Sequence, residues 1–248
     1  MPVSYFNQQA RLYAKFRPDY PPELFEFIAL ISPHHNLAWD CATGSGQAAI
    51  GLAKHFKHVV AIDTSPEQIA HARQHDRVEY RVAPAEASGL ENHSADVVMI
   101  AQALHWLDHG RFYAEVRRVV VPGGTIVATV YCDPTVNDPE LDGILQNYNK
   151  GVVGPYWPPE RKFVDEHYQS IPFPFEKITP PKIELKRDWN LHELAGYLRS
   201  WSATVRYQKA NNVDPVLDFE EKMRNRWAEP GQRRVVRWPF TIFAGRVQ

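Results

Sequence analysis

The eleven residues from Leu37 to Gln47, LAWDCATGSGQ, constrain this chain more than any other stretch. Leu37 to Cys41 is an apolar run with one acid near its end; small residues follow, and then Gln47 to Lys54 favours a helix. A buried strand, a tight glycine corner and a helix make the opening of a nucleotide-binding α/β unit. Gly44 and Gly46 reach backbone angles that other residues avoid, and without side chains they let a ligand lie against the main chain. The helix behind them turns its first free N–H groups toward that ligand.

Two classes of adenosine ligand use such a corner. Gly44-Ser45-Gly46-Gln47-Ala48-Ala49 matches the GxGxx(G/A) fingerprint of dinucleotide sites. Asp40, four residues before Gly44, argues for the other class, S-adenosylmethionine: a carboxylate at the strand end receives the amino group of an amino-acid moiety and repels a pyrophosphate. His58 to Asp63 reads as a second buried strand ending in an acid, 23 residues beyond Asp40. A carboxylate there accepts hydrogen bonds from both ribose hydroxyls, which supports an adenosine ligand without choosing between the two classes.

At 248 residues the chain is long enough for one α/β domain with a large core and an added cap. Its formal charge of −1, with acids and bases interspersed, offers no basic stripe for a nucleic acid. Two cysteines, Cys41 and Cys132, give neither a disulfide framework nor metal-ligand spacing, and read as reduced residues of a cytosolic protein. No apolar run approaches a membrane span, and Met1 to Tyr5 lacks the layout of a secretory signal.

The pattern Asp-x-x-x-Gly-x-Gly from Asp40 to Gly46 resembles the first motif of class I S-adenosylmethionine-dependent methyltransferases, whose usual form has a further glycine at Ala42; the alanine fits if it keeps a negative φ. Ala101-Gln102-Ala103-Leu104-His105-Trp106, at the end of the strand Ala95–Ala101, is similar to the fourth-strand motif of the type 11 methyltransferases and their trans-aconitate methyltransferase-like relatives. The same relatives have an aromatic-rich N-terminal helix and an Arg-Pro-x-Tyr-Pro hinge, here Arg17-Pro18-Asp19-Tyr20-Pro21. The resemblance implies a doubly wound Rossmann-like α/β fold with a seven-stranded sheet in the order 3-2-1-4-5-7-6, the last strand antiparallel. It implies S-adenosylmethionine as cofactor, S-adenosylhomocysteine as product, no metal, and a small-molecule substrate, with in-line O-methylation of a carboxylate implied by the nearer trans-aconitate likeness and a quinone-like ring as the other acceptor.

By this likeness the cofactor is held by Tyr13 and Arg17 from the lid, Asp40, Ala42, Gly44 and Gly46 from the corner, and Asp63 at the ribose. The turn after the third strand (Val78–Val82) offers the Ala85 backbone and Glu86 to adenine, and the fourth-strand exit offers Gln102 and Ala103. His105 is the candidate base, and Tyr20, His105, Trp106, Tyr156 and Trp157 are the candidate substrate contacts. The organisation expected is an N-terminal lid over 1–34, a cofactor core over 35–132, an inserted aromatic cap over 133–177 covering the substrate, and a C-terminal part over 178–248. That last part carries a strand over Ile183–Arg187, helices over Leu191–Lys209 and Pro215–Trp227, and one long final strand over Arg234–Arg246. Arg161, Arg199 and Arg206 are conceivable clamps for a carboxylate acceptor. A protein or RNA methyltransferase, and a non-catalytic adenosine-cofactor binder or dehydrogenase, remain as alternatives.

Overall fold

A computed structural model describes residues 16–248 apart from 228 and 230. Its larger unit comprises residues 19–131, 162–183 and 240–248. Strands β1 (Leu37–Cys41), β2 (His58–Asp63), β3 (Val78–Val82), β4 (Ala95–Ala101), β5 (Val120–Tyr131), β6 (Glu176–Ile178) and β9 (Phe240–Arg246) form a sheet in the order β3-β2-β1-β4-β5-β9-β6. The first five run parallel, and β9 lies antiparallel to both β5 and β6. This is the expected order, with β9 in the place of the seventh strand.

The central strands are buried along almost their whole length because helices cover both faces, as their unbroken apolar runs require. Helix α1 (Pro22–Ile31) sets Leu24, Phe25 and Ile28 against Ala48 and Leu52 of α2 (Gln47–Leu52) and against Val59 and Val97 of the sheet. Helix α3 (Pro66–Ala70) opens on Ser65, whose hydroxyl accepts from the Gln68 amide. Helix α4 (His109–Val119) opens on Asp108 in the same way and leads into β5, where residues 121–124 bulge out of the ladder before Thr125 pairs with Val97. The buried Asp96 carboxylate takes the Asn36 and Leu37 amides at 2.7 and 3.0 Å, which pins the start of β1 to the start of β4.

The second unit draws on residues 16–18, 132–161 and 184–239. Helices α5 (Pro139–Gln146), α7 (Leu191–Arg199), α8 (Ser202–Asn211) and α9 (Val216–Trp227) stand with a two-stranded ribbon of β7 (Leu185–Trp189) and β8 (Arg234–Trp238). Its core is aromatic: Trp189, Tyr197, Trp201 and Trp238 meet edge to face or tilted, and the Trp238 indole N–H donates to the Tyr197 hydroxyl at 3.1 Å. Asn190 and Glu193 form a capping box at the start of α7.

Three expectations about the C-terminal part are corrected. The long final strand breaks at Pro239, which has no N–H to offer a ladder, so β8 pairs with β7 while β9 enters the main sheet. The strand expected over Ile183–Arg187 accordingly lies in the ribbon, and the main sheet takes Glu176–Ile178 as its sixth strand. The segment expected as one helix over Leu191–Lys209 is split at Ser200 and Trp201 into α7 and α8.

Candidate functional site

The carboxyl ends of β1, β2 and β4 hold most of the residues that the sequence singles out. Asp40 is fully buried; its Oδ2 accepts the Thr43 hydroxyl at 2.5 Å, and Oδ1 has no hydrogen-bond partner among the described residues. Burial pushes this carboxyl up to about 7, against the opposing pull of the Thr43 hydroxyl and the Ala49 amide, and the nearby Asp63 charge adds to the rise. A buried acid with an unfilled oxygen is suited to an ammonium group.

Asp63 braces the corner from the next strand. Its Oδ2 accepts the Gly44 amide and its Oδ1 the Ser65 amide, both at 2.9 Å. A carboxylate with one bond at each oxygen keeps further acceptor capacity at both. The corner itself passes through three left-handed positions, Ala42 at φ 55°, Gly44 at 57° and Gly46 at 84°. The negative φ expected for Ala42 is therefore corrected. With the Thr43 amide bonded to Ile62 O at 2.8 Å, the chain turns left-handed at 42 to leave the ladder, and alanine carries a cost of about 1–2 kcal/mol that glycine would not.

Gly46 is required for a second reason, since the Tyr80 side chain of β3 lies against it closely enough to exclude a β-carbon. The Tyr80 hydroxyl donates to Arg73 O at 2.6 Å, the Arg73 amide donates to Ser45 O at 3.2 Å, and its guanidinium pairs with Asp19 of the Arg-Pro-x-Tyr-Pro segment at 2.5 Å. Tyr80 and Arg73 thus support the corner. Sequence reasoning missed both; the signal was Gly46 itself, whose missing side chain makes room for another.

The turn after β3 reaches Asp63 through the Ala83 amide, which donates to Asp63 O at 3.0 Å. Ala85 is buried there, and Glu86 accepts the Asp108 amide at 3.1 Å. At the β4 exit, Gln102 is left-handed at φ 56°, and its side-chain amide grips Tyr131 of β5 at both main-chain groups, at 2.9 and 2.7 Å. Ala103 and His105 are buried, whereas Trp106 is 52% exposed with its ring centroid 4.7 Å from that of His105. His105 Nδ1 is hydrogen-bonded to the hydroxyl of Tyr168 at 2.6 Å. Nothing in the sequence marks Tyr168, which lies 63 residues away. Tyr20 stands over Tyr131 and Phe240, with centroids 6.5 and 6.2 Å apart.

Arg17, Tyr156 and Trp157 belong to the second unit, and Tyr13 lies outside the described residues. Arg17 donates to Ser200 O at 3.1 Å and stacks 5.4 Å from the Tyr197 ring. The Tyr156 hydroxyl accepts from Asn211 at 2.8 Å. Trp157 donates to Asn149 at 2.8 Å and carries the Arg161 guanidinium over its ring at 4.3 Å. Asn149 in turn donates to Asp133, and both line a cavity of about 370 Å³ within that unit. Of the arginines considered as clamps, Arg161 is paired with Asp133, and Arg199 is held by Asp214 and Glu220 at 2.8 and 2.7 Å.

Comparison with known proteins agrees with this geometry. The family described as "Methyltransferase domain" matches residues 39–128, from the middle of β1 into β5. A Dictyostelium discoideum protein named as a methyltransferase is 34% identical over 221 residues, 88% of this chain and 84% of the relative. The solved structure named a type II methyltransferase from Anaeromyxobacter dehalogenans is 41% identical and covers 94% of this chain and 98% of its own, with a TM-score of 0.85. The YcgJ protein of Bacillus subtilis, at 15% identity, shares the fold with a TM-score of 0.52 over 91% of this chain and 98% of its own. With a relative of this identity aligned along most of both chains, and the family's domain lying over the glycine corner and the β4 exit, the chain belongs to the S-adenosylmethionine-dependent methyltransferases.

Proposed function

We propose that this methyltransferase acts in the cytosol on a small-molecule acceptor, with its cofactor held at the corner of Asp40, Ala42, Gly44, Gly46 and Asp63. One observation carries the placement: a fully buried acid, pushed up to about 7, has an oxygen with no partner beside three left-handed positions. The amino group of the methionine moiety supplies the charge that Asp40 lacks. Asp63 takes the ribose hydroxyls with its remaining lone pairs, and Ala85, on the turn tied to Asp63, offers its amide to adenine. Bound S-adenosylmethionine supplies an activated methyl carbon, so the chain's own work is to orient the acceptor and keep water away, which is worth about 7–11 kcal/mol of a barrier.

The acceptor side of this reading is the β4 exit, where the buried His105 adjoins the exposed Trp106. The near-balance of acidic and basic residues, with a formal charge of −1, supports a small substrate over a nucleic acid. Calorimetry with S-adenosylmethionine, S-adenosylhomocysteine and NAD tests the corner. The two sulfur ligands are expected to bind; NAD binding alone would overturn the placement. Labelled methyl donor incubated with a metabolite extract should deliver its label to material that passes an ultrafiltration membrane; label retained with protein or RNA would exclude the small-molecule acceptor.

A further inference from the structure

The β4 exit holds a pair of side chains whose geometry is more specific than packing requires. Tyr168 is 1% exposed and His105 8%, and their 2.6 Å bond is made at Nδ1 of the imidazole. Tyr168 and the residue before it, His167, are both left-handed, at φ 61° and 52°. Two successive left-handed residues with side chains are costly where glycine would be cheap. They are held by main-chain bonds that close α6 (Arg161–Asp165), from the His167 amide to Val164 O at 2.9 Å and from the Tyr168 amide to Phe163 O at 2.7 Å. The His167 ring adds a contact to Thr241 of β9 at 3.2 Å. This strained turn brings a phenol to one nitrogen of a buried histidine and directs the other nitrogen away from Tyr168. Trp106, half-exposed and adjoining the imidazole, offers an aromatic face of the kind that stacks on a planar molecule.

We infer that the acceptor is a planar protic nucleophile, a phenol or an enol, that gives its proton to His105 Nε2, and that Tyr168 is the positioning residue that makes Nε2 the basic nitrogen. The inference rests on the reading of the β4 exit as the acceptor side. A hydroxyl accepting from Nδ1–H serves both protonation states: neutral imidazole then keeps its lone pair on Nε2, and the imidazolium keeps the same Nδ1–H bond. In the step, the acceptor O–H bond breaks and its proton goes to Nε2. The oxygen's electron pair forms the new bond to the methyl carbon, and the pair of the broken carbon–sulfur bond stays on sulfur, leaving a neutral thioether. The imidazolium returns its proton to water. A carboxylate acceptor is already ionised and has no use for this pair.

The test uses the full chain labelled with ¹⁵N-histidine and saturated with S-adenosylhomocysteine. Long-range ¹H–¹⁵N spectra should show His105 with its proton on Nδ1, and Tyr168→Phe should move it to Nε2 while leaving the calorimetric affinity for S-adenosylhomocysteine unchanged. With labelled methyl donor and a panel of phenols, enols and benzoates, label should enter the hydroxylic compounds, and Tyr168→Phe should lower kcat by about ten- to a hundredfold at an unchanged acceptor KM. A wild-type His105 protonated on Nε2, label entering benzoates alone, or an unchanged kcat in the variant would each overturn the inference. Failure to bind S-adenosylhomocysteine at all would instead strike the cofactor placement on which it rests.

Discussion

The Tyr80 side chain of β3 occupies the space that a β-carbon on Gly46 would need. Gly46 is also left-handed, at φ 84°. Gly46→Ala therefore meets two separate obstacles and should destabilise the fold by about 2–4 kcal/mol in urea unfolding. Tyr80→Phe removes the hydroxyl, so the double variant should be less damaged than the two single losses added together. Strict additivity would mean that Tyr80 and Gly46 do not meet.

Ala42 gives the opposite sign. At φ 55° it carries a cost that glycine escapes, so Ala42→Gly should gain about 0.5–1 kcal/mol, despite the greater freedom of glycine in the unfolded chain. A loss of similar size in the urea midpoint would show that this position is not left-handed in solution.

Asp40 links binding to pH. Its carboxyl is raised from 3.8 to about 7, so the folded chain holds a proton that the unfolded chain releases between those values. Stability contributed by the protonated acid is therefore lost as pH rises from 4 to 7, by a few kcal/mol and roughly 4 as an upper bound. Asp40→Asn should melt higher than the wild type at pH 8, with the difference closing toward pH 4. The same variant should lose affinity for S-adenosylhomocysteine, whereas wild-type binding should tighten from pH 5 to 8 as the acid ionises. An asparagine variant that melts no higher at pH 8 would place Asp40 in its charged form throughout.

Asp63→Ala removes the brace on the Gly44 amide along with the proposed ribose acceptor. The affinity for S-adenosylhomocysteine should fall by about 1.5–3 kcal/mol, read by calorimetry. Unchanged affinity would take Asp63 out of the site.

Glu115 offers a control far from Asp40 in its pH behaviour. The Arg118 guanidinium, together with the Ser88 hydroxyl and amide, holds its carboxyl down to about 2. A lowered acid stabilises the fold above its ordinary value of 4.5 and stops doing so as pH falls toward 2. Glu115→Gln should cost about 1–3 kcal/mol at pH 7, with the penalty shrinking below pH 4.5. A penalty independent of pH would assign the loss to packing.

The elements legible in the sequence are those whose causes are local. β1, β2 and β4 announce themselves as apolar runs, and Ser65 and Pro66 mark the start of α3 through side-chain capping and a fixed φ. Asp40, Gly44 and Asp63 fall together because each ends or follows a parallel strand of one sheet. β6 is three residues, Glu176 to Ile178, with a polar pattern, and only pairing with β9 makes it a strand. The bond between His105 and Tyr168 escapes for a like reason: it spans 63 positions and depends on left-handed geometry at a histidine and a tyrosine, where no glycine or asparagine advertises it. Left-handed Ala42 hides in the same way behind an ordinary side chain.

Tyr131, the last residue of β5, pairs with Phe240, the first of β9, and just beyond them the Cys132 amide donates to Pro239 O at 3.0 Å. The chain between these positions leaves and finally re-enters the main sheet at neighbouring residues, and it returns once on the way, over residues 162–183, to supply β6 and Tyr168. β6 and Tyr168 tie residues 162–183 to the main sheet, whereas 132–161 and 184–239 belong to the second unit. Substitutions in 132–161 and 184–239 therefore leave the strand pairing of the main sheet untouched, while those in 162–183 act on it directly.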